Sequence, residues 1–472
     1  MNTKLLKQKI LDLAIRGKLT QQLKTDGTTA DLLKEISSTC HSGTKRSGAI
    51  ESKKSKDLKP IIPLDKSEAP FEIPANWEWV RLGDVIELIS GQDFPPNKYN
   101  AEKKGIPYIT GASNFVNGHV LLNRWTEFPS IVAQRNDILL VCKGSGYGSY
   151  VYADFEKAHI ARQIMAIRIS DKVLRAYVYN YLGSQYELLK FQGNGLVPGI
   201  ARNVVLDLKI PLPPLAEQQR IVAKIEEAFA EIDAVEKNKE LLKTHIKQTR
   251  QKILDLAIHG KLVPQNKTDE PASVLLERIT RDNPHYEKLG LDEVPFDIPE
   301  NWCWCRLDDI NHFQSNTENP MLEGNKNRTY ELYSVPCFDA KYPEIVKGAE
   351  IGSTKVLVNK GDVLISKINP HLNRVWCVPQ FTEHRMIASS EWIIIRNPEI
   401  NQSYLVYVLQ SGYFLDKMLS NTSGVGGSLT RAKPYEVKKY EIPLPPLAEQ
   451  GRIVAKIEEL FSTLDQVERN LV

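Results

Sequence analysis

Charge of one sign is what this chain lacks most plainly. Its 61 Lys and Arg stand against 58 Asp and Glu, a net charge of +3, so bulk charge announces neither a nucleic-acid nor a membrane partner. Segments 71–209 and 296–441 net +2 and −1, which leaves only local patches to carry such a contact. No apolar run approaches the roughly 18 residues that span a bilayer, which excludes a transmembrane helix. The opening MNTKLLKQKILDLAIRGKLT interleaves basic and apolar positions, unlike a secretory leader. The six cysteines (Cys40, Cys142, Cys303, Cys305, Cys337 and Cys377) form no CxxC pair and no small disulfide framework, so a reducing, cytoplasmic setting is expected. Nine scattered histidines give no HxxxH or HExxH pair that would hold a metal. The glycines of GSGYGS at 144–149 fit neither GxxxxGK[ST] nor GxGxxG, so that segment is read as a hairpin turn.

What the chain has is repetition. IPLPPLAEQQRIVAKIEE at 210–227 returns as IPLPPLAEQGRIVAKIEE at 442–459, with only Gln219 and Gly451 differing. KQKILDLAIRGKL at 7–19 returns as RQKILDLAIHGKL at 250–262, and FEIPANWEWVRLGDV at 71–85 as FDIPENWCWCRLDDI at 296–310. Cys303-x-Cys305 is therefore matched by Glu78 and Val80, which argues against a metal pair. Between these shared motifs the two copies differ: NDILLVCKGSGYGSYVY (136–152) faces GDVLISKINPHLNRVWC (361–377). Drift after duplication blurs everything alike, whereas here a near-constant frame carries two dissimilar interiors.

The frame is helical. From Leu215 to Ile258 there is no Gly or Pro; Pro213 and Pro214 precede the run, Glu217 suits its first turn, and Gly260 suits its C-terminal cap. Val222, Ile225, Phe229, Ile232, Val235, Leu242, Ile246, Ile253 and Leu256 predict a coiled-coil-like seam. The chain closes on the first half of this helix and opens on its second half, so the repeat is circularly permuted. The expected fold is α+β: two α/β domains separated by long antiparallel coiled-coil-like helices, in a circularly permuted pseudo-twofold repeat. The expected parts are an N-terminal helical segment (1–36), a flexible Ser/Lys/Pro-rich linker (37–70) and a first domain (71–214). A central spacer helix (215–260), a connector (261–295), a second domain (296–446) and a C-terminal helix (447–472) follow. Trp77, Trp79, Trp302 and Trp304 recur at alternating positions and are read as packing where each domain begins.

The doubled IPLPPLAEQxRIVAKIEE, the doubled IPxNWxWxRL and the segment GDVLISKINPHLNRVW together resemble the specificity (S) subunits of type I restriction–modification systems. The resemblance spans essentially the whole chain. It implies a non-catalytic subunit whose two target-recognition domains each read one half of a split, asymmetric double-stranded DNA sequence, with the helices as a ruler for the gap. It implies as partners methyltransferase (M) subunits, two of them, and restriction/translocase (R) subunits, with no membrane. S-adenosylmethionine, ATP and Mg would then belong to those partners, and no cofactor to this chain. The chain's own lack of an Asn-Pro-Pro-aromatic motif agrees, since FPPNKY and INPHL do not supply one. The competing reading is a duplicated coiled-coil scaffold that binds proteins and not DNA.

Base edges are read by Arg, Lys, Asn, Gln, Ser and Thr, and such residues occur on matched loops where the copies differ. Lys143, Ser145 and Tyr147 face Lys367, Asn369, His371 and Arg374. Aligning Ile160-Ala161 with Ile387-Ala388 sets Arg162 and Gln163 opposite Ser389 and Ser390. Asn194 and Arg202 in GNGLVPGIARN face Thr430, Arg431 and Lys433 in SGVGGSLTRAKP. These are the candidate DNA-binding residues; no catalytic or metal-binding residue is expected.

Overall fold

The computed structural model describes residues 2–39, 61–144, 146–192, 199–290, 292–423 and 430–471, so most of the expected linker, 40–60, lies outside the described residues. The chain divides into two compact units, 1–238 and 239–472, and the division falls inside the central helix Leu215–Ile258. Each half of that helix belongs to the core of its own unit.

In the first unit the helix Thr3–Ile15 packs on the first half of the central helix, with Leu11, Ala14 and Ile15 in one buried cluster with Ile221, Val222 and Ile225. Thr3 bonds Glu236, Lys7 pairs with Asp233, and Arg220 meets Asp26 at 2.6 Å. As one strand of contacts climbs in number the other falls, so the helices are antiparallel. The second unit repeats this with its own half of the central helix and the helix Leu447–Arg469. Leu254, Ala257 and Ile258 cluster with Ile453, Val454 and Ile457, Arg250 pairs with Asp465, and Arg452 meets Asp269 at 2.6 Å. The permutation is thus visible within each unit: the same helix pair is built once from the chain's start and middle, once from its middle and end. The seam is shorter than its spacing suggested, because Val235 and Leu242 are 49% and 37% exposed.

Both copies of ILDLAI end in the same way. Lys18 N–H donates to Leu13 O and Gly17 N–H to Ala14 O, at 2.9 and 3.2 Å, and Lys261 and Gly260 repeat both bonds at the same distances. This is the paired-bond helix stop that requires a left-handed residue; Gly17 and Gly260 both have φ of +65°. A Cβ there would stand 2.4 Å from Pro74 Cγ in one unit and 2.3 Å from Pro299 Cγ in the other. The connector 261–295 is not all loop: it holds the helix Ala272–Thr280, the counterpart of Thr29–Thr39.

Each domain opens and closes on one short antiparallel ribbon. Glu78–Arg81 pairs with Lys209–Leu212, Trp79 opposite Pro211, and Cys303–Arg306 pairs with Glu441–Leu444, Trp304 opposite Pro443. All four repeated tryptophans are buried. Between ribbon strands, the first unit has an antiparallel sheet ordered Glu87–Ser90, Ile164–Arg168, Ile138–Val141, Tyr150–Tyr152. A second sheet runs Trp125–Thr126, Ile106–Ile109, Lys157–Ile160, Val132–Gln134, with the two middle strands parallel. The second unit has the strands Val375–Cys377, Val363–Ser366 and Trp392–Ile395 in the first role. In the second role it has five strands, of which Thr329–Tyr333 and Arg385–Ala388 are the parallel pair.

The apolar runs ILLV and VLIS explain why two sheets stay together. Side chains alternate across a strand: Ile138 and Leu140 enter the cluster shared with the helices, while Leu139 enters the cluster of the second sheet. Val363 and Ile365 do the same on one side and Leu364 on the other.

Candidate nucleic-acid interface

The three loops singled out in each copy are brought to one place by backbone bonds. In the first unit Cys142 N–H donates to Gln163 O at 2.8 Å and Ile200 N–H to Cys142 O at 2.7 Å, while Lys143 bridges Gly199. In the second, Lys367 N–H donates to Glu391 O at 3.0 Å, Ala432 N–H to Lys367 O at 2.9 Å, and Ile368 bridges Arg431. The junction is the same object twice. At the far end of the strands that lead into it, each unit also has the same buried ion pair: Arg168 grips Asp137 through Nε and a terminal nitrogen at 3.1 and 2.8 Å, and Arg396 grips Asp362 at 2.7 and 2.6 Å. Both carboxylates are nearly fully buried and also accept a backbone N–H, from Gln134 and Asn359, at 2.8 Å.

The matching bonds correct the alignment of the second loop by one residue. Ile160 sits opposite Ile109 and Ala388 opposite Tyr333, and the next N–H, of Ala161 or Ser389, donates back to Ile109 O or Tyr333 O. Ala161 therefore corresponds to Ser389, Arg162 to Ser390 and Gln163 to Glu391. Two similar isoleucine–alanine pairs had suggested a register that the hydrogen-bond ladder does not adopt.

The candidate side chains differ in how they are held. In the first unit Lys143, Arg162, Gln163 and Arg202 are exposed. Arg162 Nε lies 3.0 Å from Asp93 Oδ2, its own N–H donates to Asp93 Oδ1 at 2.9 Å, and Arg202 donates to Ser90 Oγ at 3.2 Å. Tyr147 is half-buried and its hydroxyl donates to Lys190 O at 3.1 Å. Ser145 and Asn194 lie outside the described residues.

In the second unit His371, Ser390, Arg431 and Lys433 are exposed, while Lys367, Asn369, Arg374, Ser389 and Thr430 are half-buried. Asn369 ties the first loop to the third: at φ of +49° its N–H donates to Thr430 O at 2.8 Å and its Oδ1 accepts from Thr430 N–H at 3.1 Å. Ser389 Oγ accepts from Glu391 N–H at 3.2 Å, and Arg431 lies 3.1 Å from Glu391 Oε1. Arg374 approaches Asp339 only to 3.9 Å. Among the described residues, Arg374 Nε and Glu391 Oε2 are buried with no hydrogen-bond partner.

A fourth loop joins each junction and was missed. It follows the strand that pairs in parallel: Thr110–Asn114 in the first unit and Ser334–Asp339 in the second. Gln163 Oε1 lies 2.5 Å from where a Cβ on Gly111 would stand, and Asn114 Oδ1 accepts the N–H of Thr110 at 3.0 Å to shape that loop. GASNF and VPCFD share no pattern, so only the parallel pairing reveals that they correspond.

Two segments, 74–244 and 299–471, match the family model for the type I restriction modification DNA specificity domain. The chain belongs to this family. Each matched segment runs from just before the paired tryptophans, through the junction, into the helix of its unit. The chain is similar to the Escherichia coli type I restriction enzyme EcoEI specificity subunit, at 24% identity over 99% of this chain and 90% of that one. It is similar at 24% identity to the EcoAI specificity subunit of the same organism, over 98% of this chain and 90% of that one. A solved structure described as the basis of complex assembly and conformational transition of the type I R-M system shares the fold. Its TM-score is 0.55 at 21% identity, over 85% of this chain and 94% of that chain. Two DNA specificity domains in one chain favour sequence recognition over a protein-only scaffold. Among the described residues no helix is long and apolar enough to cross a membrane, and no group of three or more His, Cys, Asp or Glu is placed to hold a metal.

Proposed function

We propose that each unit of this specificity-family chain reads one half of an asymmetric, bipartite DNA duplex target through its loop junction. The observation that carries this is the junction itself: one backbone arrangement, built twice, presenting different side chains. Lys143, Arg162, Gln163 and Arg202 stand on one copy; His371, Ser390, Arg431 and Lys433 stand on the other. Identical frames give both units the same way of approaching a duplex, and different side chains at base edges give two different half-sequences. The continuous helix Leu215–Ile258 supports a fixed gap between the halves, because an uninterrupted helix is a spacer of defined length. The chain lacks catalytic groups of its own in this reading and directs partners. Two methyltransferase subunits would carry S-adenosylmethionine, and restriction/translocase subunits would carry ATP and Mg. The setting is cytoplasmic, where the DNA is.

The test is genome-wide mapping of adenine methylation in cells expressing this chain with a cognate methyltransferase subunit. One split, asymmetric motif with a constant gap is the expected result. A soluble complex that leaves no motif would overturn the reading and return the weight to a protein-binding scaffold.

A further inference from the structure

The junctions differ in one respect that bears on what they read. Each holds one exposed arginine in a close ion pair with a carboxylate, at different places. In the first unit it is Arg162 on the second loop, against Asp93; in the second it is Arg431 on the third loop, against Glu391. The positions do not correspond: Arg162 is matched by Ser390 and Arg431 by Gly199, so each device exists in one unit alone. Resting on the bipartite reading above, we propose that Arg162 and Arg431 are the guanine-reading residues of the two half-sites, with Asp93 and Glu391 as positioning residues.

Three observations favour a base edge over a phosphate. First, a carboxylate about 3 Å from the guanidinium repels a phosphate oxyanion but not the neutral O6 and N7 acceptors of guanine. Second, the carboxylates come from residues held by the frame. Asp93 Oδ1 itself accepts the Arg162 backbone N–H at 2.9 Å, and the backbone of Glu391 is held through its N–H to Ser389 Oγ at 3.2 Å and its O to Lys367 N–H at 3.0 Å, which places the half-buried side chain beside Arg431. A guanidinium fork held on one side is pre-oriented to present its remaining N–H groups, which bidentate recognition requires. Third, in each pair the arginine side chain is the more exposed partner, 68% against 44% for Arg162 and Asp93 and 52% against 26% for Arg431 and Glu391. The arginine is the more outward group of each pair.

The experiment uses the full chain in complex with its methyltransferase partner and compares wild type, Arg162→Lys, Arg431→Lys and Glu391→Gln by methylation mapping and by binding to duplexes across a salt series. Lysine keeps the charge and loses the fork. Arg431→Lys is expected to lose about ten- to a hundredfold discrimination at one guanine in one half-site, leaving the other half and the gap unchanged. Arg162→Lys is expected to do the same in the opposite half. Glu391→Gln is expected to weaken discrimination at the Arg431 position with an unchanged salt slope. Variants that keep the wild-type motif would overturn the proposal, as would affinity falling uniformly over all sequences with a shallower salt slope. A wild-type motif in which either half lacks any G·C pair overturns it without a variant. A wild-type complex with no bipartite motif overturns the functional reading and this inference with it.

Discussion

At the scale of single residues, the frame is held by buried polar groups that recur in both units. Glu217 accepts from the Trp77 indole at 2.8 Å and from Gln22 at 2.9 Å; Glu449 accepts from Trp302 at 3.0 Å and from Gln265 at 2.6 Å. Burial pushes the Glu449 carboxyl above its ordinary value of 4.5, against the pull of those two donors. A carboxyl raised in the folded state favours the protonated fold. Its stabilising contribution is complete below about pH 4.5 and is lost as pH rises through the higher folded value. Melting followed from pH 4 to 8 should therefore show wild type losing ground, relative to Glu449→Gln, as pH rises. The helix stops give a second prediction. Gly17→Ala and Gly260→Ala each force a side chain onto a positive φ and against a proline ring, and each should cost about 1–3 kcal/mol by denaturant titration.

At the scale of elements, two ion pairs fasten the turn after one helix to the start of its antiparallel partner. Asp26 accepts from both terminal nitrogens of Arg220, at 2.7 and 2.6 Å, with its side chain almost wholly buried. The Arg220 hydrogen bonds hold the Asp26 carboxyl below its ordinary value of 3.8. The sign is opposite to that of Glu449: the pair contributes fully above about pH 3.8 and is lost as pH falls through the depressed value. Asp26→Asn should therefore lower stability at neutral pH by about 2 kcal/mol, the scale of a lost charge-assisted hydrogen bond. The gap to wild type should close on acidification below pH 4, which pH-resolved melting checks. The strands that lead into the recognition loops are tied at their opposite ends, where Arg168 and Arg396 grip Asp137 and Asp362. The loop backbones themselves are held by matching main-chain bonds, so their side chains can differ.

At the scale of the whole molecule, the chain is one unit written twice, with the chain ends cut through the helix pair. In the proposed function the central helix sets the unread gap. Insertion of one helical turn, about 5.4 Å, between Val235 and Leu242 should change the gap in the methylated motif and leave both half-sequences intact. That stretch is suited to insertion because both residues are exposed. A changed half-sequence in the mapped motif, with the gap constant, would contradict the ruler.

The sequence alone determined the repeat, the permutation, the long helix and the position of its caps, because each depends on local chemistry: proline at a helix start, glycine at its stop, apolar spacing along it. Non-local pairing was not legible. Only the tertiary structure decided that the second loop aligns Arg162 with Ser390, since the isoleucine–alanine likeness is local and the register is set by bonds to Ile109 and Tyr333 on another strand. It alone brought the 110–114 and 334–339 loops to the junctions, through a parallel pairing that leaves no sequence pattern. And it alone joined Arg431 to Glu391 across forty positions and Arg162 to Asp93 across sixty-nine, because a side-chain ion pair is fixed by the fold that closes the distance.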